Sequence, residues 1–139
     1  MQDQQSLKPL DDDQNLITAV YNLYTNEKQC MYLQYTAACV IFFYLNQKEV
    51  FNYNPDAPLL YDYNGHRRYI WEDKKFMSDI NKVRDHFFLI RARAKSKISR
   101  DINAHQCSQK GKEYIEELIA SDKLFANKWK KVKLHLHAE

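Results

Sequence analysis

The sequence predicts an α+β fold, and three observations carry that expectation. Residues 76–118 read in the order helix, strand, basic hairpin, strand, helix. Helical stripes of apolar residues recur on both sides of that block, at Leu16, Val20 and Leu23 and again at Phe125, Trp129, Val132 and Leu136. Only 2 glycines and 3 prolines punctuate the 139 residues, so long elements joined by few turns are expected. A chain of this length forms one domain with a core that needs no disulfide or metal staple.

Residues 1–13 are polar, contain Pro9 and end in three aspartates. They read as a flexible arm preceding a single domain over 14–139. Asp12 or Asp13 is placed to cap a helix that starts near Gln14, because a short acidic side chain can accept from the free amides of a first turn. A second helix is expected from Lys28 to Gln47. Its residues Tyr32, Tyr35, Ala38, Cys39, Phe42, Phe43 and Leu45 cover more than one face, which places it at the centre of the core.

Between Val50 and Trp71 the period changes. Pro55 and Pro58 exclude a continuous helix, and apolar or aromatic runs flank Asn64-Gly65. Both residues of that pair accept positive φ, so a hairpin is expected there. The next stretch, about 73–87, places Phe76, Ile80, Val83 and Phe87 on one face, with Lys74, Lys75, Ser78, Asn81, Lys82 and Asp85 opposite. That pattern predicts an amphipathic helix with a polar outer side.

A ribbon follows at about 90–106. Arg91, Arg93, Lys95 and Lys97 occupy every second position, with Ile90, Ala92, Ala94 and Ile98 between them. Because strand side chains alternate, one face is expected to be cationic and the other packed. Ser99-Arg100-Asp101 turns the ribbon, and Ser108 is placed to cap a helix holding Tyr114, Ile115, Leu118 and Ile119. The tail stripe from Phe125 to Leu136 predicts a last helix that packs on the core or on a partner.

The formal charge of +3 is unevenly spread. Residues 1–66 hold 3 basic against 8 acidic residues, net −5, whereas 67–100 hold 11 against 4, net +7. Focused positive charge suggests an acidic partner, nucleic acid first, although a charge run also serves simply as a solvated face. In a helix-plus-ribbon reading, Lys75, Ser78, Asn81 and Lys82 would read base edges, while Arg84, Arg91, Arg93, Lys95, Lys97 and Arg100 would hold phosphates.

Cys30, Cys39 and Cys107 are an odd set without C-x-x-C spacing, which fits free buried thiols in a reducing compartment. A polar, acidic start without a basic n-region does not read as a signal peptide, and Ala37 to Leu45 is too short to span a bilayer. A cytoplasmic protein with no membrane partner is expected. His135-x-His137 and His105-x-Cys107 lack a second ligand pair, and Cys107 with His105 lacks the surroundings of a nucleophile. No enzyme activity, cofactor or metal is expected.

The segments SDINKVRDHFFLI, KSKISRD and INAHQCSQKGKEYIEEL resemble, in that order, the recognition helix, wing and strand-to-helix step of a winged-helix DNA-binding domain, and of its PadR-like branch in particular. The resemblance covers about Met31 to Leu118. It implies a winged helix-turn-helix with extra N-terminal and C-terminal helices, acting as a homodimeric transcription regulator, a repressor, on double-stranded DNA. It also implies that the terminal helices supply the dimer contact, through Leu16, Val20, Leu23, Phe125, Trp129, Val132 and Leu136. The chain departs from the branch in its Val50 to Trp71 stretch and its short C-terminal part, which leaves a small-molecule effector open. Two other classes stay open beside it. One is a single-stranded nucleic-acid binder stacking bases on Tyr61, Tyr63 and Tyr69; the other is a protein-interaction adaptor on the same fold.

Overall fold

A computed structural model describes residues 8–28, 32–62, 68–71, 73–94 and 102–137. The described elements run α1 (Asp12–Asn22), β1 (Leu33–Gln34), α2 (Tyr35–Gln47), β2 (Leu59–Asp62), β3 (Arg68–Trp71), α3 (Lys74–Asp85), β4 (Leu89–Ala94), β5 (Ile102–Cys107), α4 (Gln109–Ser121) and α5 (Lys123–His135). Helices and small antiparallel sheets make this an α+β fold.

Helix α1 starts two residues earlier than the aspartate pattern suggested. Asp11 is the cap: its carboxylate accepts from the Gln14 amide at 2.9 Å, while the Gln14 side chain accepts from the Asp11 amide at 3.0 Å. The reciprocal pair satisfies two donors that a first turn otherwise leaves free. The helix is buried from Gln14 to Asn22 and packs against α3, α4 and β5. It is therefore α1, not α2, that occupies the centre. Leu16 and Val20 are fully buried and Leu23 is nearly so.

A π-helical turn, Leu23–Glu27, extends α1. Here the Thr25 hydroxyl donates to the Tyr21 carbonyl at 2.7 Å and accepts from the Cys107 amide at 3.0 Å, which ties the end of β5 to the turn. The long helix expected from Lys28 is shorter. Leu33 and Gln34 instead pair with His105 and Ala104, and α2 begins only at Tyr35. Strand pairing with β5 captures two residues that the expected helix had included.

The sheet order is β1-β5-β4, with all neighbours antiparallel. A second sheet, β2-β3, pairs Leu59 with Trp71 through Asp62 with Arg68. The hairpin expected between Val50 and Trp71 is thus present as paired strands. Its register is centred on position 65, half a step from the centre that a two-residue Asn64-Gly65 loop would set. Residues 63–67, including Tyr63, lie outside the described set.

The hairpin packs on α2 and closes an aromatic cluster. Phe42, Tyr53 and Trp71 all lie within 6 Å, centroid to centroid, of the Phe76 ring. The Trp71 indole donates to the Ala57 carbonyl at 3.2 Å, so the buried ring leaves no donor unpaired. Full burial of a side chain such as Phe76 contributes roughly 2–3 kcal/mol.

The C-terminal stripe is also spent inside the chain. Phe125, Trp129 and Val132 are 2–4% exposed, and Leu136 packs partly against the same core. With Leu16, Val20 and Leu23 buried as well, six of these seven residues are closed off inside the chain and Leu136 is half-buried. Assigning them to a dimer contact is corrected on that ground: an amphipathic stripe shows that a face is buried and does not show against what.

Candidate nucleic-acid interface

Helix α3 is set at both ends by side-chain and backbone chemistry. Asp73 caps it, accepting from the Phe76 amide at 2.9 Å and from the Asn54 amide at 3.1 Å. At the other end the Phe87 amide donates to the Arg84 carbonyl and the Phe88 amide to the Val83 carbonyl, with Phe87 at φ 62°. This is a Schellman closure, usually made with glycine at the left-handed position. It reverses the chain into β4 and turns the Phe87 side chain outward, 66% exposed. Phe88 takes the buried place that helical spacing had given to Phe87.

At 100° per residue, Lys74, Ser78, Asn81 and Asp85 form one outward line, flanked by Lys82 on one side and Met77 and Arg84 on the other. All seven are exposed. Asn81 Oδ1 accepts from Arg84 Nη2 at 3.1 Å, so its acceptor is engaged within the helix. Asp85 stands in the same line and repels phosphate, which shifts an anionic partner towards Lys82, Arg84 and Arg91.

Lys75 does not belong to this surface. Its ammonium lies 3.2 Å from Asp79 and 3.8 Å from Asp13, above the Tyr53 ring at 5.0 Å. The side chain, though 56% exposed, is held by two carboxylates and a ring, contacts that compete with the base-reading role expected of it. Desolvation lowers the lysine's proton affinity, but the Asp79 hydrogen bond and the Asp79, Asp13 and Asp11 charges outweigh it and raise its pKa.

The anchor of that group, Asp79, was not among the residues singled out from the sequence. The residue is 3% exposed, and its carboxylate accepts from Gln14 Nε2 at 2.9 Å, Tyr53 Oη at 2.7 Å and Lys75 Nζ at 3.2 Å. One buried acid thus joins α1, the segment before β2 and α3, fixing the pitch of α3 on the core. A charged residue one position before Ile80, on the edge of the apolar stripe, was the available clue.

The ribbon is turned over relative to expectation. Leu89 is buried and Ile90 is 41% exposed. Pairing sets Leu89 opposite buried Cys107, and Arg91 opposite buried His105. Arg91 therefore shares its side with buried Leu89, His105 and Cys107, while on the other side Ile90 is exposed and Ala104 is buried. Moving a strand by one residue exchanges its faces, and here the bulk of Leu89, Cys107 and Leu33 sets the choice. Arg91 is nonetheless exposed. The Arg93 backbone pairs with Asn103, while its side chain, like all of Lys95, Lys97 and Arg100, lies outside the described residues.

Two histidines flank the junction. The His86 ring nitrogens each lie 2.9 Å from a carbonyl, that of Lys82 within α3 and that of Lys8 in the arm. The arm's last residues are thereby fastened beside α3, and Lys8, Asp11, Lys82, Asp85 and His86 line the hollow between them. His105 is buried with both ring nitrogens unpartnered. Desolvation, helped by the Arg84 and Arg91 charges, lowers its pKa from the usual 6.5 to about 4.

Because the folded pKa of His105 lies below the unfolded one, the unfolded chain binds more protons between those values. Stability is complete above about pH 6.5 and falls as pH drops towards 4, by on the order of 3 kcal/mol. Urea denaturation of wild type and His105→Leu at neutral pH and near pH 4.5 checks this: the stability gap should move in favour of the variant in acid. A pH-independent gap would contradict it.

Cys39 and Cys107 are free and buried, and burial pushes the Cys107 thiol up to about 12. A neutral thiol facing the core is not a nucleophile. Among the described residues, no group of three or more His, Cys, Asp or Glu side chains could hold a metal, and no helix is long and apolar enough to cross a membrane. Comparison of the chain with protein families, curated proteins and solved structures finds no match.

Proposed function

We propose that this chain is a winged-helix DNA-binding protein that regulates transcription by sequence-specific contact with double-stranded DNA. One observation carries the reading. A helix with an exposed polar face, α3, runs through a tight closure straight into a two-stranded ribbon that β1 borders, and the sequence joining its strands holds Lys95, Lys97 and Arg100. In this reading Ser78, Asn81 and Lys82 meet base edges, and Arg84, Arg91 and the cations of the 93–100 sequence hold the backbone. The β2-β3 hairpin stands where a simple helix-turn-helix has a turn of roughly three or four residues. A dimeric repressor remains part of the proposal, on a contact other than the two buried stripes.

The test is charge reversal on exposed residues that leave the core untouched. Arg84→Glu and Arg91→Glu are each expected to weaken binding to every duplex sequence and to reduce the log–log salt slope by about one per lost phosphate contact. Fluorescence anisotropy on a labelled duplex reads both quantities. Affinity and slope unchanged in both variants would remove the assignment.

A second reading, a protein-interaction adaptor, is favoured by α5. Its outer side exposes Leu124 at 83% and Leu134 at 56% among Lys123, Lys130 and Lys131. Partner binding through that face would be indifferent to Arg84 and Arg91, which separates the two readings.

A further inference from the structure

Antiparallel pairing places Arg91 directly opposite His105, so both side chains leave the ribbon on one side. His105 is 3% exposed, and neither of its ring nitrogens has a hydrogen-bond partner. A buried polar ring without partners costs free energy, and its persistence asks for an explanation. Arg84 comes from the last turn of α3, and its charge acts on the same ring together with that of Arg91. Both guanidiniums are exposed. Other neighbours add no charge: Leu33 pairs with His105 from β1, and Cys107 on the same face is a neutral thiol. No carboxylate acts on the ring among the described residues.

Arg91 thus stands across the strand pair from a neutral, unpartnered imidazole, and the Arg84 charge reaches the same ring from α3. Guanidiniums bind oxyanions through directed pairs of N–H donors, and two of them can share one phosphate. A bound anion also offsets the charges that disfavour protonation of the ring beneath. We propose that Arg84, Arg91 and His105 form one oxyanion site that takes a single backbone phosphate, with His105 acquiring a proton from solvent as the site fills. The site rests on the phosphate-contact reading of this face and adds to it a third residue and a linked proton. Binding should consequently tighten as the solution is acidified.

Inorganic phosphate is the first probe, because near pH 5 it is a monoanion like a phosphodiester. The His105 ring is followed by NMR near that pH as phosphate replaces chloride at constant ionic strength. Its protonated fraction is expected to rise from roughly one tenth to roughly one half, a displacement of about one pH unit. The response should vanish in the Arg84→Gln/Arg91→Gln double variant, which alters only exposed side chains. An unmoved ring, or the same response in the double variant, would overturn the site. Duplex DNA is the second probe. DNA that fails to bind while the phosphate response persists would remove the DNA reading and leave the oxyanion site standing. DNA that binds without protonating His105 would remove the linked proton and the site with it.

Discussion

Asp79→Ala is expected to lower the stability of the folded chain by about 3–4 kcal/mol. The substitution strands the Gln14 amide and the Tyr53 hydroxyl in the interior, each within 3 Å of the lost carboxylate. It also frees Lys75, which contributes less because its side chain is 56% exposed and screened by water. Asp79→Asn should lose less than alanine does, since an amide oxygen keeps one acceptor while its NH₂ opposes the remaining donor. For a domain of this size the alanine variant should melt about 10 °C lower or more. Urea denaturation followed by circular dichroism measures the change, and a midpoint equal to wild type would show that the network adds nothing.

Gly111→Ala is the second large effect, and two terms of opposite sign meet there. Alanine favours a helix over glycine by about 1 kcal/mol, so propensity alone predicts a more stable protein. Geometry predicts the reverse. A Cβ at position 111 would stand 2.6 Å from the Phe88 carbonyl oxygen and 2.9 Å from Cys107 Sγ. The carbonyl cannot easily withdraw, because it accepts from the Ser108 amide at 2.9 Å. Neither can the start of α4, where the Ser108 hydroxyl donates to the Phe87 carbonyl at 2.6 Å and accepts from the Gly111 amide at 3.0 Å. Overpacking should win, with a net loss of about 2–3 kcal/mol. A stabilised variant would mean that α4 can slide away from β4 without cost. Gly111 thus serves close approach: it lets the α4 N-terminus sit against the junction of α3 and β4, where the candidate interface begins.

What could be read from residues alone was whatever repeats. Phe76, Ile80 and Val83 announced α3 through their spacing, the runs on either side of Asn64-Gly65 announced β2 and β3, and Ser108 announced α4 by its position before an apolar helix. What could not be read was decided by tertiary contact. Leu33 and Gln34 become a strand because β5 offers them hydrogen bonds, not because of their own pattern. The ribbon's faces could not be settled by alternation, which is the same for either face; Leu89 meeting Cys107 settles them. Phe87 fitted the helical period but fell beyond the last turn, where the left-handed closure swings it into solvent. Among the site residues, Ser78, Asn81, Lys82, Arg84 and Arg91 are exposed as charge and spacing suggested, while the exposed Lys75 is engaged by Asp79, a buried acid marked only by its place on the edge of the apolar stripe.

Neutralisation of backbone phosphates by this face is tested with random duplex DNA, which needs no knowledge of any operator. Binding would be measured at several salt concentrations. A log–log slope of about −4 or steeper is expected, the signature of several counterions released together. A flat slope, or no binding at low salt, would contradict it and move the assignment to the adaptor.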